Sequence, residues 1–201
     1  SLIRPEATGY GCVYFAEEML KECNRRFEDK RVAISGSGNV AQYAALKAME
    51  MGARVISVSD SGGTLYFAEG MTAEHWHYLM DLKNERRARL LDMANELGLE
   101  FLPNQRPWHL VCDIALPCAT QNELNGDDAR TLVANGCFCV AEGANMPSTL
   151  EAIDVFQQAR ILFAPGKAAN AGCVAVSGLE MSQNAMRMQW TDGEVDTKLH
   201  A

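Results

Sequence analysis

No run of about 18 consecutive apolar residues occurs in this 201-residue chain, so nothing in it reads as a membrane-spanning helix. The amino terminus, Ser1-Leu2-Ile3-Arg4-Pro5-Glu6, lacks a basic segment followed by an apolar one and does not read as a signal peptide. Positive charge is scarce. Eighteen Lys and Arg stand against 26 Asp and Glu, a formal charge of −8. Nucleic acid rewards clustered Lys and Arg, so an acidic chain is a poor candidate for binding it. Cysteines are present but unpaired by pattern. There are 7, none at C-x-x-C spacing, and the 4 histidines do not interleave with them as zinc ligands would. They read as reduced, mostly buried thiols of a cytoplasmic protein, with no metal site. Internal repeats, low-complexity tracts and linkers are also missing. What remains is 48% apolar and 22% charged, the balance of one globular domain. That balance excludes a disordered tail, a collagenous fibre and a coiled coil.

Apolar spacing alternates between the periods of strands and helices. Gly9 to Phe27 has near-helical spacing at Val13, Ala16, Leu20 and Phe27. The short run Arg31–Ser35 predicts a strand, and Asn39 to Met51, rich in Ala and closed by Gly52, predicts a helix. Arg54–Asp60 predicts a second strand, ended by Gly62-Gly63. Thr72 is placed to cap a long helical region from Ala73 to Leu97, stopped by Gly98. Further strands are expected at Glu100–Leu102, Val111–Leu116, Phe138–Glu142 and Ile161–Ala164. Helices are expected at Asp127–Asn135, Ser148–Gln158 and from about Asn170 to Trp190. Such alternation predicts an α/β fold: a doubly wound, Rossmann-like parallel sheet with helices on both faces. The polar end, Thr191 to Ala201, stops inside what could be another helix, as a piece of a longer protein would.

Gly36-Ser37-Gly38-Asn39-Val40-Ala41 fits G-x-G-x-x-[GA]. The motif alone is weak. Here it follows a strand and opens a helix, the context in which it carries a mechanism. Gly36 permits a tight turn, Gly38 lets a pyrophosphate approach the backbone, and Ala41 lets the helix pack closely. The free N–H groups at the helix start then face the anion. Asp60 ends the next strand, where an acid can bind ribose hydroxyls. The competing reading is a glycine turn that binds nothing.

Polar clusters follow the later strands, at the sheet edge where such folds gather ligands. They are Pro117-Cys-Ala-Thr-Gln-Asn122, Glu142-Gly-Ala-Asn-Met-Pro147 and Pro165-Gly-Lys-Ala-Ala-Asn-Ala-Gly172. Each Asn alone is as well explained by loop capping; three such loops behind one glycine turn point to a shared site.

These loops carry a resemblance. Arg4-Pro-Glu-Ala-Thr-Gly-Tyr-Gly11, Ser35-Gly-Ser-Gly-Asn-Val-Ala41, Asp113-Ile-Ala-Leu-Pro-Cys-Ala-Thr-Gln-Asn122, Glu142-Gly-Ala-Asn-Met-Pro147, Lys167-Ala-Ala-Asn-Ala-Gly172 and Val176-Ser-Gly-Leu-Glu-Met-Ser-Gln-Asn184 resemble the hexameric bacterial glutamate dehydrogenases of the NADP-preferring kind. The resemblance runs through essentially the whole chain, in order. It implies reversible conversion of glutamate to 2-oxoglutarate and ammonia, with hydride passing to a nicotinamide. It also implies that residues 1–201 are the cofactor-binding (second) domain. The catalytic lysine and aspartate of the family belong to an N-terminal substrate domain whose motifs are absent here, as is the C-terminal helical segment. This chain therefore has no catalytic residue of its own. The full-length family enzyme is a homohexamer; the domain alone is expected to be a monomer or weak dimer.

Residue by residue, the resemblance assigns Thr8 to the nicotinamide carboxamide. Gly36, Ser37, Gly38, Asn39 and Val40 go to the dinucleotide turn. Ala119 and Thr120 go to the adenine-side ribose and pyrophosphate, and Gly143, Ala144, Asn145 and Asn170 to the nicotinamide side. Asn170, Val174 and Ser177 are assigned to the substrate. Cys173 departs from the family, which usually has a second glycine there. Two alternatives stay open: a leucine, valine or phenylalanine type of amino-acid dehydrogenase, and a non-catalytic dinucleotide-sensing domain. A polar Ser177 favours an acidic substrate.

For the cofactor, two arguments disagree. Asp60 alone favours NAD, because a carboxylate repels a 2′-phosphate. The resemblance favours NADP, through Ser59-Asp60-Ser61 and the basic stretch Lys83-Asn-Glu-Arg86-Arg87-Ala-Arg89. On a continuous helix much of that stretch shares one face, which presents Lys83, Arg86 and Arg89, in that order, to the phosphate. Without the resemblance it reads as a solvated helical face. The expectation is NADP, with Asp60 turned toward a basic partner.

Overall fold

A computed structural model describes residues 6–169 together with Glu194, Asp196, Thr197 and His200. The expected helix Asn170–Trp190 lies outside the described residues. Seven strands form one sheet: β1 Arg31–Ile34, β2 Arg54–Asp60, β3 Gly63–Tyr66, β4 Glu100–Pro103, β5 Ile114–Leu116, β6 Cys139–Ala141 and β7 Leu162–Ala164. Their order is β4-β3-β2-β1-β5-β6-β7. The chain leaves β1 toward one edge and returns beside β1 to build the other, so the order reverses between β1 and β5. Open α/β sheets place their ligand crevice at such a reversal.

Helices cover both faces. Val32, Ile34, Val55, Val58 and Leu116 face α1 Ala7–Glu22, α2 Asn39–Glu50, α3 Ala73–Met80 and α4 Leu90–Leu97. Ala33, Ala115 and Val140 face α5 Gly126–Ala134 and α6 Leu150–Gln158, around Trp108, Leu132 and Phe156. Neighbouring strand residues point to opposite faces, so the short apolar strand segments are buried on both sides. The small face of α2, Ala41, Ala44, Ala45 and Ala48, lets α1 come close. At that crossing a Cβ on Gly9 would lie 2.7 Å from the Val40 carbonyl oxygen. A last turn, α7 Gly166–Ala169, follows β7. Among the described residues, no helix is long and apolar enough to cross a membrane. Cys12, Cys112, Cys118, Cys137 and Cys139 are buried free thiols, and Cys23 is an exposed one.

Four details depart from the sequence expectation. The sheet is mixed rather than wholly parallel, because β3 runs antiparallel to both β2 and β4. Gly62-Gly63 does not simply end a strand: Ser61 and Gly62 form a two-residue hairpin, and the chain returns through Gly63 opposite Asp60. Gly63 has φ +150°, and a Cβ there would collide with the Leu102 carbonyl of β4. The region Ala73–Leu97 is two helices. After α3 comes a π-helical turn, Asp81–Glu85. Arg87 then takes the left-handed conformation at φ +51° and Arg89 is extended before α4. Finally, α1 ends at Glu22 rather than Phe27, where Asn24 turns left-handed at φ +54°.

Candidate functional site: a glycine-turn cleft at the strand-order reversal

The carboxyl ends of β1, β2 and β5 open into a cleft of about 780 Å³. One wall is the turn Gly36-Ser37-Gly38-Asn39-Val40. Ser59, Asp60, Ser61 and Gly63 form a second, and Cys118, Ala119, Thr120 and Glu123 a third. Asn104, Gln105 and Arg106, just beyond β4, close the remaining side.

The turn is fixed from both neighbours. Gly36 N–H donates to Ser59 Oγ at 2.9 Å, and Ser59 N–H donates to the Gly36 carbonyl at 3.0 Å. Gly36 has φ +86°, and a Cβ there would lie 2.7 Å from the Cys118 carbonyl oxygen. Only glycine meets both demands. Gly38 differs: nothing lies within 4 Å of where its Cβ would be. That empty space is room for a ligand to reach the backbone. Gly38 is the N-cap of the 12-residue α2 and supplies no side-chain cap bond. The first N–H groups of α2 and its positive dipole end therefore remain available to an anion. Asn39 is the first helical residue, exposed on the cleft wall, and does not act as the cap.

A buried carboxylate ties the third wall to β1. Glu123, 2% exposed, accepts from the Ser35 hydroxyl and from Thr120 N–H at 3.1 Å. Ser35 Oγ in turn accepts from Cys118 N–H at 3.0 Å. Burial pushes the Glu123 carboxyl above the usual carboxylate range, against the pull of those bonds and of Arg106. The Arg106 guanidinium donates to the Glu123 carbonyl at 2.7 Å. Behind this loop, the Cys118 thiol is pushed up by its bond with the Cys12 thiol and by burial, and so is not ionised.

At the β2 end, Asp60 is already engaged. One carboxylate oxygen accepts from Gly62 N–H at 2.8 Å, the other from Leu90 N–H at 3.0 Å with Lys83 Nζ 3.7 Å away. Beside it, Arg89 Nη1 donates to Ser61 Oγ at 2.7 Å. Lys83 and Arg89 thus converge on Asp60 and Ser61 from either side of the helix break. Arg86 does not join them: its guanidinium pairs with Glu96 at 2.8 Å and reaches Tyr78 Oη at 3.2 Å. The single basic face expected of a continuous helix is not formed.

Of the residues singled out from sequence, the cleft lining brings together Gly36, Ser37, Gly38, Asn39, Val40, Asp60, Ser61, Ala119 and Thr120. Thr8 is half-buried in the first turn of α1, outside that lining. Gly143 packs behind the cleft, where a Cβ would press on Cys118 Sγ at 2.5 Å, and Ala144 and Asn145 follow it in the loop after β6. Asn170, Cys173, Val174 and Ser177 lie outside the described residues. Sequence reasoning missed Glu123, Asn104, Gln105 and Arg106, and it read Ser59 only as part of the Ser59-Asp60-Ser61 turn, not as the partner of Gly36. Glu123 was visible only as an acidic residue after a polar loop. Asn104, left-handed at φ +57°, marks the turn that brings its neighbours to the cleft.

Fold and cleft define a doubly wound α/β domain with a glycine turn and an uncapped helix start at its strand-order reversal. A family model described as Glutamate/Leucine/Phenylalanine/Valine dehydrogenase matches residues 1–201. The NADP-specific glutamate dehydrogenase of Escherichia coli is 62% identical over 200 residues, 100% of this chain and 45% of that protein. The NAD(P)-specific enzyme of Xylanibacter ruminicola is 56% identical over the same length. The crystal structure of Plasmodium falciparum glutamate dehydrogenase superposes with a TM-score of 0.96 at 47% identity, over 100% of this chain and 43% of that one. The chain belongs to the glutamate/leucine/phenylalanine/valine dehydrogenase family, and it spans about half the length of the curated relatives it matches.

Proposed function

We propose that residues 1–201 are the dinucleotide-binding domain of an NADP-dependent glutamate dehydrogenase. The whole protein would convert glutamate reversibly to 2-oxoglutarate and ammonia, and assemble as a homohexamer through parts outside this chain. The nicotinamide supplies a hydride acceptor when bound. The chain's own residues bind and orient. The uncapped start of α2 takes the pyrophosphate, and the empty space over Gly38 is where the ligand meets the backbone. Asn145 and Asn170 would serve the nicotinamide ribose, Thr8 its carboxamide, and Val174 and Ser177 the substrate. No proton-transfer pair is proposed within this chain, so the domain alone binds without turnover.

The observation that carries the NADP reading is the commitment of Asp60. Its two oxygens accept from the Gly62 and Leu90 N–H groups, with Lys83 3.7 Å away, and Ser61, Arg89 and Lys83 stand beside it with donors for a 2′-phosphate. The test is a fluorescence titration of this chain with NADPH and NADH at low and high salt. NADPH is expected to bind more tightly and to lose more affinity as salt rises. A preference for NADH overturns the NADP reading; binding of neither cofactor overturns the site. Turnover by the isolated chain with glutamate and NADP would overturn its passive role.

A further inference from the structure

A second cleft, of about 410 Å³, opens at the opposite edge of the sheet. The seven residues of β2 separate it from the glycine turn by about 20 Å. It forms where the sheet loses its cover. The short 3₁₀ turn Pro107–His109 packs on β1 and β2, and beyond it the Tyr66 and Leu102 side chains of β3 and β4 are only half-buried. A bulge in β2 helps to shape the floor. Val32 pairs with Val55 but Ala33 pairs with Ser57, so Ile56 is an extra residue turned into this side. Bulges recur where a side chain is re-aimed beside a site.

The charges at its rim are unbalanced. Arg31 and Arg54 stand directly opposite each other in the β1–β2 register. Only Arg31 is neutralised. Its guanidinium grips Asp113 with two bonds of 3.2 Å, and the Arg31 backbone N–H donates to the same carboxylate at 2.8 Å. Arg54 has a long 3.5 Å contact to the Asp29 carbonyl and no carboxylate within ion-pair distance among the described residues. An anion against Arg54 would give its guanidinium the carboxylate partner it lacks. One guanidinium is free and Glu100 lines the far side, so the site has room for one negative charge and not two. Leu102, Leu110 and Val111, the last 48% exposed, supply an apolar wall, and His109 also lines the cleft.

We propose that this cleft is a binding site for a small aromatic carboxylate. The carboxylate takes the fork of Arg54 in bidentate geometry, and the ring lies against Tyr66 and the apolar wall ending in Val111. This site owes nothing to the dinucleotide reading and stands or falls apart from it.

The experiment titrates the isotope-labelled chain with 2-naphthoate and follows backbone amide shifts, with 2-naphthamide as the neutral analogue. Saturable shifts clustered at Leu102, Leu110 and Val111 are expected, unchanged by NADPH. Arg54→Gln, an exposed change, should keep the wild-type spectrum and weaken naphthoate about tenfold or more. The wild-type chain should bind the neutral amide more weakly than naphthoate by a similar factor. Val111→Glu should abolish binding by placing a negative charge at the mouth. Shifts confined to the glycine turn, no saturation, equal binding of the amide, or an Arg54→Gln protein that binds as wild type would each overturn the proposal.

Discussion

The cleft has two sides that are built by different means. Around the glycine turn, the polar atoms are buried and bonded to backbone: Gly36 to Ser59, Cys118 to Ser35, Thr120 to Glu123. On the Asp60 side, the contacts come from long side chains on an irregular segment, with Lys83 and Arg89 reaching back across a broken helix. On the proposed reading, the first side would present backbone to the part of a ligand that every dinucleotide shares, and the second adjustable charge to the part that distinguishes one dinucleotide from another. Recognition common to a class would then be held rigidly, and discrimination would sit where side chains can change without disturbing the core.

The sharpest way to break the rigid side is Gly36→Ala. Its left-handed φ and the 2.7 Å approach to the Cys118 carbonyl force the turn open. Backbone strain alone should cost about 1–3 kcal/mol. The urea midpoint should fall and NADPH fluorescence enhancement should vanish with it.

Ser35→Ala tests the same side from beneath. It leaves Cys118 N–H and one Glu123 oxygen without their partner in a buried place, at a cost of about 1–3 kcal/mol. The pH dependence should report Glu123 directly. Its folded carboxyl is raised by burial, so folding works against its ionised form. The stability it contributes is full below the unfolded value of about 4.3 and falls as pH rises through the higher folded value. Glu123→Gln should flatten that part of the curve; an identical slope in both proteins would remove Glu123 from the account.

Gly38→Ala should separate binding from folding. Its Cβ meets nothing within 4 Å, and its φ of −83° suits any residue. Stability should stay within about 0.5 kcal/mol of wild type. The methyl group nevertheless projects into the space the pyrophosphate needs, so NADPH affinity should drop about tenfold, some 1.4 kcal/mol. Equal affinity would mean that the ligand does not approach the turn here.

The difference between the two sides also explains what could be read from the residues alone. The rigid side obeys local rules. A short apolar strand, G-x-G-x-x-A and an Ala-rich helix signal themselves within a dozen residues, so the turn and the strand-order reversal were legible. The return of the chain at Gly63 was not, because two consecutive glycines fit a strand end as well as a hairpin; what decides is the close approach of β4, about 40 residues later. Glu123 escaped notice for a similar reason: its partner Ser35 lies 88 residues away. The helix break at Arg87 had no Gly or Pro to announce it. Helical periodicity continues through Arg86 and Leu90, and the new helix starts where Asp60 accepts from Leu90 N–H and Asp92 from Arg89 N–H.

That break sets the smallest and most discriminating expectation, on the adjustable side. Were Ala73–Leu97 one helix, Lys83, Arg86 and Arg89 would act together and each would contribute to NADPH preference. In the structure Lys83 lies 3.7 Å from Asp60 and Arg89 2.7 Å from Ser61, while Arg86 is held by Glu96 and Tyr78. Lys83→Ala should therefore weaken NADPH selectively by about tenfold. It removes a cation and also leaves the Asp60 charge facing the phosphate. Arg89→Ala should have the same sign and a smaller effect, because its guanidinium is exposed and screened. Arg86→Ala should leave the NADPH-to-NADH affinity ratio within about twofold of wild type, since only exposed contacts to Glu96 and Tyr78 are lost. The ratio is measured for all three variants at one low salt concentration. An Arg86→Ala loss equal to that of Lys83→Ala would mean that the segment straightens when cofactor binds and that the two sides of the cleft are not as different as they look.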